Sequence, residues 1–283
     1  MTERLSVTKT YKLFIGGKFP RTESGRSTPV RDAQRGLNAH VCHASRKDLR
    51  AAVEAAVKGQ EAWGSGTAYL RGQVLYRLAE MLESRASEFE EALGGGEGAR
   101  REVRASIDRS VHYAGWTDKF SQVLGGANPV AGPYHNFSIP GPMGVVGVLA
   151  PDEPALLGLL SLTLPALAGG NSVIALAGET NPIPAMLLAE AVATSDVPAG
   201  AINVLTGFRE ELAPHFASHR EIIALHASGV SDEQRTTLRA GAAENLKRVV
   251  VREVEDWHAE SAQGAGWIEA FTDAKTIWHP SAT

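Results

Sequence analysis

The stretch GVVGVLAPDEPALLGLLSLTLPALAGGNSVIAL, residues 144–176, decides the fold. Two short β-branched runs, 145–150 and 172–176, flank an apolar segment at 154–168. No charge occurs between Pro154 and Gly178, a length that a simple hydropathy rule would read as a membrane span. Pro165 and the Gly169-Gly170-Asn171 break instead divide it into a buried helix, a turn and a short strand. A strand, a covering helix and a second strand make one right-handed parallel crossover. Working outward, the same alternation continues, with strands predicted at 201–205, 222–226 and 248–251 and helices at 182–194, 210–218 and 232–243. The expected fold is α/β: a Rossmann-like, doubly wound, mostly parallel sheet.

Ahead of this unit the period changes from two to 3.6. Tyr11 to Phe19, with Gly16-Gly17 at its centre, reads as a hairpin. Ser45 followed by Asp48 marks the start of a helix from about Arg46. A second helix is expected from Thr67 to the Gly94-Gly95-Gly96 stop, and a third from Glu97 to Val123. The expected organisation is an N-terminal hairpin and helical part at 1–126, a β oligomerisation segment at 127–142, a Rossmann-like part at 143–255, and a short bridge with a closing strand at 256–283.

Composition narrows the function. Hydrophobic residues make up 43% and charged residues 21% of 283, an ordinary globular balance. A net charge of -4, with no Lys/Arg cluster interleaved with aromatics, speaks against nucleic acid as a partner. The first residues carry no apolar core after their basic positions, and the single cysteine, Cys42, cannot form an internal disulfide. A cytoplasmic, non-membrane protein is expected. Cys42 lies between His40 and His43, but three such residues crowded into one short segment read better as strand surroundings than as a metal site, so no metal is expected. The histidines at 112, 135, 215, 219, 226, 258 and 279 have no carboxylate at fixed spacing and read as surface or core residues.

Several segments carry a resemblance. The runs 11–18 (YKLFIGGK) and 46–56 (RKDLRAAVEAA), residues 144–151 (GVVGVLAP), and Val197-Pro198 through Asn203 to Phe208 together resemble the aldehyde dehydrogenase superfamily along nearly the whole chain. A narrower resemblance, carried by 151–154 (PDEP), 194–198 (TSDVP) and 245–248 (NLKR), is to the second, cysteine-less domain of family-16 aldehyde dehydrogenases. The tail from Trp267 to Pro280 resembles the family's closing strand, which in those enzymes adds to a neighbouring subunit's sheet. Between Val251 and Trp267 there is only a short bridge where an active member carries its catalytic domain.

The resemblance also says which residues should do the chemistry, and they differ here. The family's oxidation needs a cysteine thiolate to hold the aldehyde covalently, and no residue here matches it, so no catalytic residue is expected. The turn that places the family's oxyanion asparagine reads Pro151-Asp152-Glu153-Pro154, and Asp152 is expected to cap a helix beginning near Pro154. The general-base glutamate is matched by Arg252, which stays protonated. The cofactor lysine is matched by Leu176. Of the cofactor residues, Glu179 and Gly207 persist as vestiges, while Gly207-Phe208-Arg209 puts a side chain where backbone should meet pyrophosphate. Arg209 could alternatively pair with a phosphate, and His226-Ala227-Ser228-Gly229 keeps a serine at shifted spacing.

The expectation is therefore no bound cofactor and a non-catalytic structural or regulatory subunit. It would assemble with itself or with a catalytic aldehyde dehydrogenase through Phe137, Ile139, Lys275, Ile277 and Trp278 on the two strand segments. The alternatives are a residual NAD(P)-linked aldehyde oxidoreductase and a nucleotide-sensing module.

Overall fold

The computed structural model describes residues 7–32 and 37–281. Residues 1–6, on which the reading of the N-terminus partly rests, lie outside the described residues. In chain order come β1 (Lys9–Tyr11), β2 (Ser27–Asp32) and β3 (Leu37–Cys42), then helices α1 (Arg46–Ser65), α2 (Ala68–Ser84), α3 (Ala86–Ala92), α4 (Gly96–Trp116) and α5 (Phe120–Leu124). Strands β4 (Gly126–Asn128) and β5 (Tyr134–Pro142) lead into the alternating part: β6 (Val145–Leu149), α6 (Leu157–Ala168), β7 (Ser172–Leu176), α7 (Ile183–Val192), β8 (Ile202–Leu205), α8 (Arg209–Ser218), β9 (Ile222–Ser228), α9 (Asp232–Ala243) and β10 (Arg248–Arg252). A short helix α10 (Ala265–Glu269) and β11 (Thr272–Pro280) follow.

The central sheet has the order β10-β9-β6-β7-β8, and every pairing in it is parallel. Every residue of β6, β7 and β8 is buried, which is why these strands read as unbroken apolar runs rather than alternating ones. Two cores lie on the two faces. Val146, Val148, Val173 and Ala175 lie in the core shared with α6 and α7, against which α2 and α4 pack, while Val145, Leu149, Ile174 and Leu176 lie in the core shared with α1, α8 and α9. Helix α6 is buried at all its positions, as expected from its uniformly apolar sequence. No helix among the described residues is long and apolar enough to cross a membrane.

Three sequence expectations change. The run from Thr67 to Gly94 is two helices, because Arg85 leaves helical geometry (φ -114, ψ 15) and its guanidinium reaches Glu190 of α7 at 2.7 Å and Glu88 at 2.7 Å. The helix expected to reach Val123 ends at Trp116, where Thr117 turns its hydroxyl onto the Ala114 carbonyl at 2.9 Å and packs against Gly72. The N-terminal hairpin shrinks to a tight turn at Gly16-Gly17 (φ +58 and +75) closed by reciprocal Ile15–Lys18 backbone bonds. Its flanks go elsewhere: β1 pairs in parallel with β3, and Phe14 exchanges backbone bonds with Val204 on the edge strand β8. The small sheet β1-β3-β2 that results was not expected from the sequence.

The start of α1 follows the sequence closely. Ser45 Oγ accepts from the Asp48 N–H at 3.3 Å and Asp48 Oδ2 accepts from the Ser45 N–H at 2.7 Å, a closed capping box. Further along α1, Gly59 lies so close to Gly200 that a Cβ would sit 2.2 Å from the Gly200 carbonyl carbon. Strand β11 pairs antiparallel with β5 of its own chain over nine residues, from Thr272↔Pro142 to Pro280↔Tyr134. In the arm sheet β11-β5-β4, β11 occupies one edge.

Candidate cofactor crevice

From β6 the chain moves to β7 and β8 on one side, then returns to β9 and β10 on the other. Sheet order therefore reverses between β6 and β9, and a crevice opens beyond the C-terminal ends of these two strands, the position where such sheets bind ligands. Its contents are defined by four residues.

Arg209, first residue of α8, points into the crevice and is almost wholly buried, its side chain 5% exposed. Its Nη2 donates to the Ala150 carbonyl at 2.9 Å, just past β6, and its Nη1 to the Gly229 carbonyl at 3.1 Å, just past β9. The guanidinium thus spans the switch point. Asp152 Oδ2 lies 3.1 Å from Nη2 and balances the charge, while Asp152 Oδ1 accepts from the backbone N–H groups of Glu179 at 2.5 Å and Thr180 at 3.1 Å. Glu179 Oε1 in turn accepts from the Arg209 N–H at 2.7 Å. A carboxylate therefore holds the N-terminus of α8, where free N–H groups and the helix dipole favour an anion. Gly207 (φ +157) sits beneath, where a Cβ would press on Leu212 at 3.3 Å.

The crevice is split into two clefts. One, of about 220 Å³, is lined by Cys42, Gly178, Glu179, Pro182, Gly207 and Phe208. The other, of about 460 Å³, is lined by Pro151, Ser228, Gly229, Arg235, Arg252 and Glu253.

Asp152 does not cap its own helix, contrary to the sequence reading. Both its oxygens are engaged by the loop after β7 and by Arg209. Helix α6 starts instead at Leu157, and Glu102 of α4 supplies its cap, with Oε1 accepting from the N–H groups of Leu156 at 2.7 Å and Leu157 at 3.2 Å. Arg109, two turns along the same face of α4 as Glu102, is buried and donates to Ser161 Oγ, to the Ala262 carbonyl at 2.7 Å and to the Trp257 carbonyl at 2.8 Å. It fastens the bridge after β10 onto α6. Both were missed from sequence, although Glu102, Ser106, Arg109 and Tyr113 recur at helical spacing and form a polar ridge beside the apolar stripe.

Arg252 ends β10, with its guanidinium 4.3 Å from the Trp267 ring centre. Its Nε donates to His226 Nε2 at 3.3 Å, and His226 Nδ1 meets the Leu162 carbonyl at 2.8 Å. Those partners assign the neutral ring with the proton on Nδ1. Burial, with the Arg252 charge behind it, pushes the His226 pKa down to about 3. Tyr113 nearby is pushed well above the ordinary tyrosine value, chiefly by burial. Cys42 is buried in β3, and His43 stands edge-on to Phe208 at 4.5 Å and 3.4 Å from Glu211. Among the described residues no three His, Cys, Asp or Glu side chains are grouped to hold a metal.

The five expected interface residues lie on adjacent strands but not on one face. Phe137 is opposite Ile277 and Ile139 opposite Lys275, and these four share a side. Trp278, opposite Asn136, points to the other side and packs edge-on against Tyr134 at 5.8 Å. That side also carries a polar ladder, in which Asn128 donates to Asn136 at 2.6 Å and Ser138 shares a hydrogen bond with Thr276 at 2.8 Å.

Comparison with known proteins agrees with this geometry. The model of the aldehyde dehydrogenase family matches residues 21–253. The chain is 30% identical over 249 residues to a mitochondrial benzaldehyde dehydrogenase of Antirrhinum majus, covering 85% of this chain and 46% of that protein. It is 30% identical over 263 residues to the putative aldehyde dehydrogenase DhaS of Bacillus subtilis, covering 89% and 52%. An NAD+ complex of the aldehyde dehydrogenase of Bacillus cereus superposes with a TM-score of 0.79 at 27% identity, over 86% of this chain and 50% of that one. The chain spans about half the length of such relatives.

Proposed function

The chain belongs to the aldehyde dehydrogenase family, and we propose that it is a non-catalytic subunit that assembles with itself or with a catalytic aldehyde dehydrogenase. The observation that carries this reading is the Arg209 guanidinium set across the switch point and neutralised by Asp152. A dinucleotide does not fit the crevice as these residues fill it. Its pyrophosphate would have to displace the Glu179 carboxylate from the α8 N-terminus and lie beside the charge of Asp152.

The chemistry of the remaining residues points the same way. The one cysteine is buried in β3. Arg252, at the position the resemblance gives to a general base, is a donor engaged with His226 and Trp267 and cannot accept a proton. What the fold offers is an edge. The open side of β11 presents backbone donors and acceptors to an incoming strand, and the apolar face at Phe137, Ile139 and Ile277 lies beside it.

One observation favours a second reading, a nucleotide-sensing module: the 220 Å³ cleft beside Glu179 and Pro182 is open and could accept part of a nucleotide without the rest of the crevice. Calorimetry with NAD and NADP, combined with the mass of the native assembly, tests the choice. Assembly without saturable heat supports the subunit reading. A strictly monomeric chain that ignores the aldehyde dehydrogenases of its own cell, or turnover of NAD with an aldehyde by contaminant-free protein, overturns it.

A further inference from the structure

Away from the crevice, a cleft of about 630 Å³ runs between the first turns of α1 and the C-terminal end of α8, reaching the start of β9. Its lining carries Arg46, Lys47, Arg50 and Arg220 against a single carboxylate, Glu221, with His215 and His219 between them. Lys47 is paired with Glu23 at 3.1 Å and Arg50 with Glu54 at 3.0 Å. Arg46 and Arg220 have no carboxylate partner among the described residues.

Helix stability does not account for these charges. The N-terminus of α1 is already satisfied by the Ser45–Asp48 box, and cations at Arg46, Lys47 and Arg50 oppose the positive end of its dipole. At the other wall, the last carbonyls of α8 already have a cation. Lys247 Nζ donates to the Phe216 carbonyl at 3.3 Å and the His219 carbonyl at 2.7 Å. Arg46 and Arg220 therefore stand on opposite walls of the cleft without a carboxylate partner among the described residues, with the paired Lys47 and Arg50 beside them. His215, facing Arg46, is held below its ordinary pKa by burial and then by that charge. His219 is lowered first by burial, then by Lys247 and Arg50, only partly offset by Glu221 and Glu54.

We propose that this cleft binds a small molecule carrying two or more adjacent phosphate groups. Its volume is that of a small-molecule site, and guanidinium forks match phosphate oxygens two at a time. No Phe, Tyr or Trp lines it to stack a base, so recognition is by the phosphates. The site lies apart from the crevice and does not depend on the subunit reading.

The test is calorimetry of the full chain with inorganic pyrophosphate at low salt, with citrate and ATP as parallel probes. Saturable pyrophosphate binding that weakens with salt is expected, with ATP bound comparably and citrate at least about tenfold more weakly. The double variant Arg46→Glu, Arg220→Glu changes two exposed residues and should weaken pyrophosphate by about tenfold or more, while Arg100→Glu on α4 should not. In the unaltered protein, NMR of the histidine rings should show the His215 titration moving to higher pH on adding pyrophosphate. No saturable binding, binding indifferent to the double charge reversal, a stationary His215, or citrate bound as tightly as pyrophosphate would each overturn the proposal.

Discussion

The Asp152 carboxylate and the Arg209 guanidinium meet at 3.1 Å across a crevice that the fold itself creates, and backbone holds each of them further: two carbonyls accept from the arginine Nη atoms, and two N–H groups donate to the aspartate. Truncating Arg209→Ala leaves a partly buried carboxylate without its cation and two carbonyls without donors. A loss of about 2–4 kcal/mol is expected in urea unfolding. Arg209→Lys should recover little, since one ammonium cannot span Ala150, Gly229 and Asp152 together. Unchanged stability in the alanine variant would show that the pair does not hold the crevice shut.

Glu102 acts as a cap supplied from another helix. Replacing it with Ala frees the N–H groups of Leu156 and Leu157 at the head of a buried helix. Stability should fall by about 1–2 kcal/mol. Hydrogen exchange read at Leu156 and Leu157 should rise ahead of global unfolding, and an unchanged exchange rate there would place the cap elsewhere.

His226 contributes to the acid limb of stability. Its folded pKa, about 3, lies below the ordinary histidine value of 6.5, so the unfolded chain takes up a proton that the folded one refuses. Its contribution is fully present above the unfolded value and declines as the pH falls from 6.5 toward about 3, with a slope of up to about 1.4 kcal/mol per pH unit. Unfolding free energies measured between neutral and mildly acid pH should flatten in His226→Gln. The NMR signals of the ring should not titrate while the protein remains folded. A ring that titrates near its ordinary value would contradict the buried geometry.

The arm predicts which of two faces carries assembly. Ile139, 43% exposed, shares a side with Phe137 and Ile277, whereas Trp278 lies on the side with the polar ladder. Ile139→Glu should weaken association by about tenfold or more in sedimentation, since it removes an isoleucine's worth of apolar burial and adds a charge. Trp278→Ala should affect mainly its contact with Tyr134. Equal loss from both changes would mean that the strand edge, rather than a face, is the contact.

The element order was legible because it depends on local period. The apolar runs of β6 and β7 mark buried parallel strands, and Ser45 with Asp48 marks the head of α1, without knowledge of anything distant. The small sheet β1-β3-β2 was not legible, since Lys9–Tyr11 is short and its partner Leu37–Cys42 pairs with it in parallel rather than through a local turn. Arg85 broke a helix that its own neighbourhood favours because Glu190 draws its side chain to α7.

Sequence alone determined the family resemblance, the parallel alternation of strands and helices, and the residue types standing at the positions where chemistry would be done. It also placed a side chain, Arg209, where a glycine turn was expected. Tertiary structure decided what that side chain does: its partners Ala150, Asp152 and Gly229 come from other loops, with Ala150 59 residues away, and only the reversal of sheet order brings them to one point. Periodicity reports which face of an element is buried. It carries no record of which distant carboxylate or carbonyl will meet a buried polar group, so Asp152 was assigned to the nearest helix and Glu102 was overlooked.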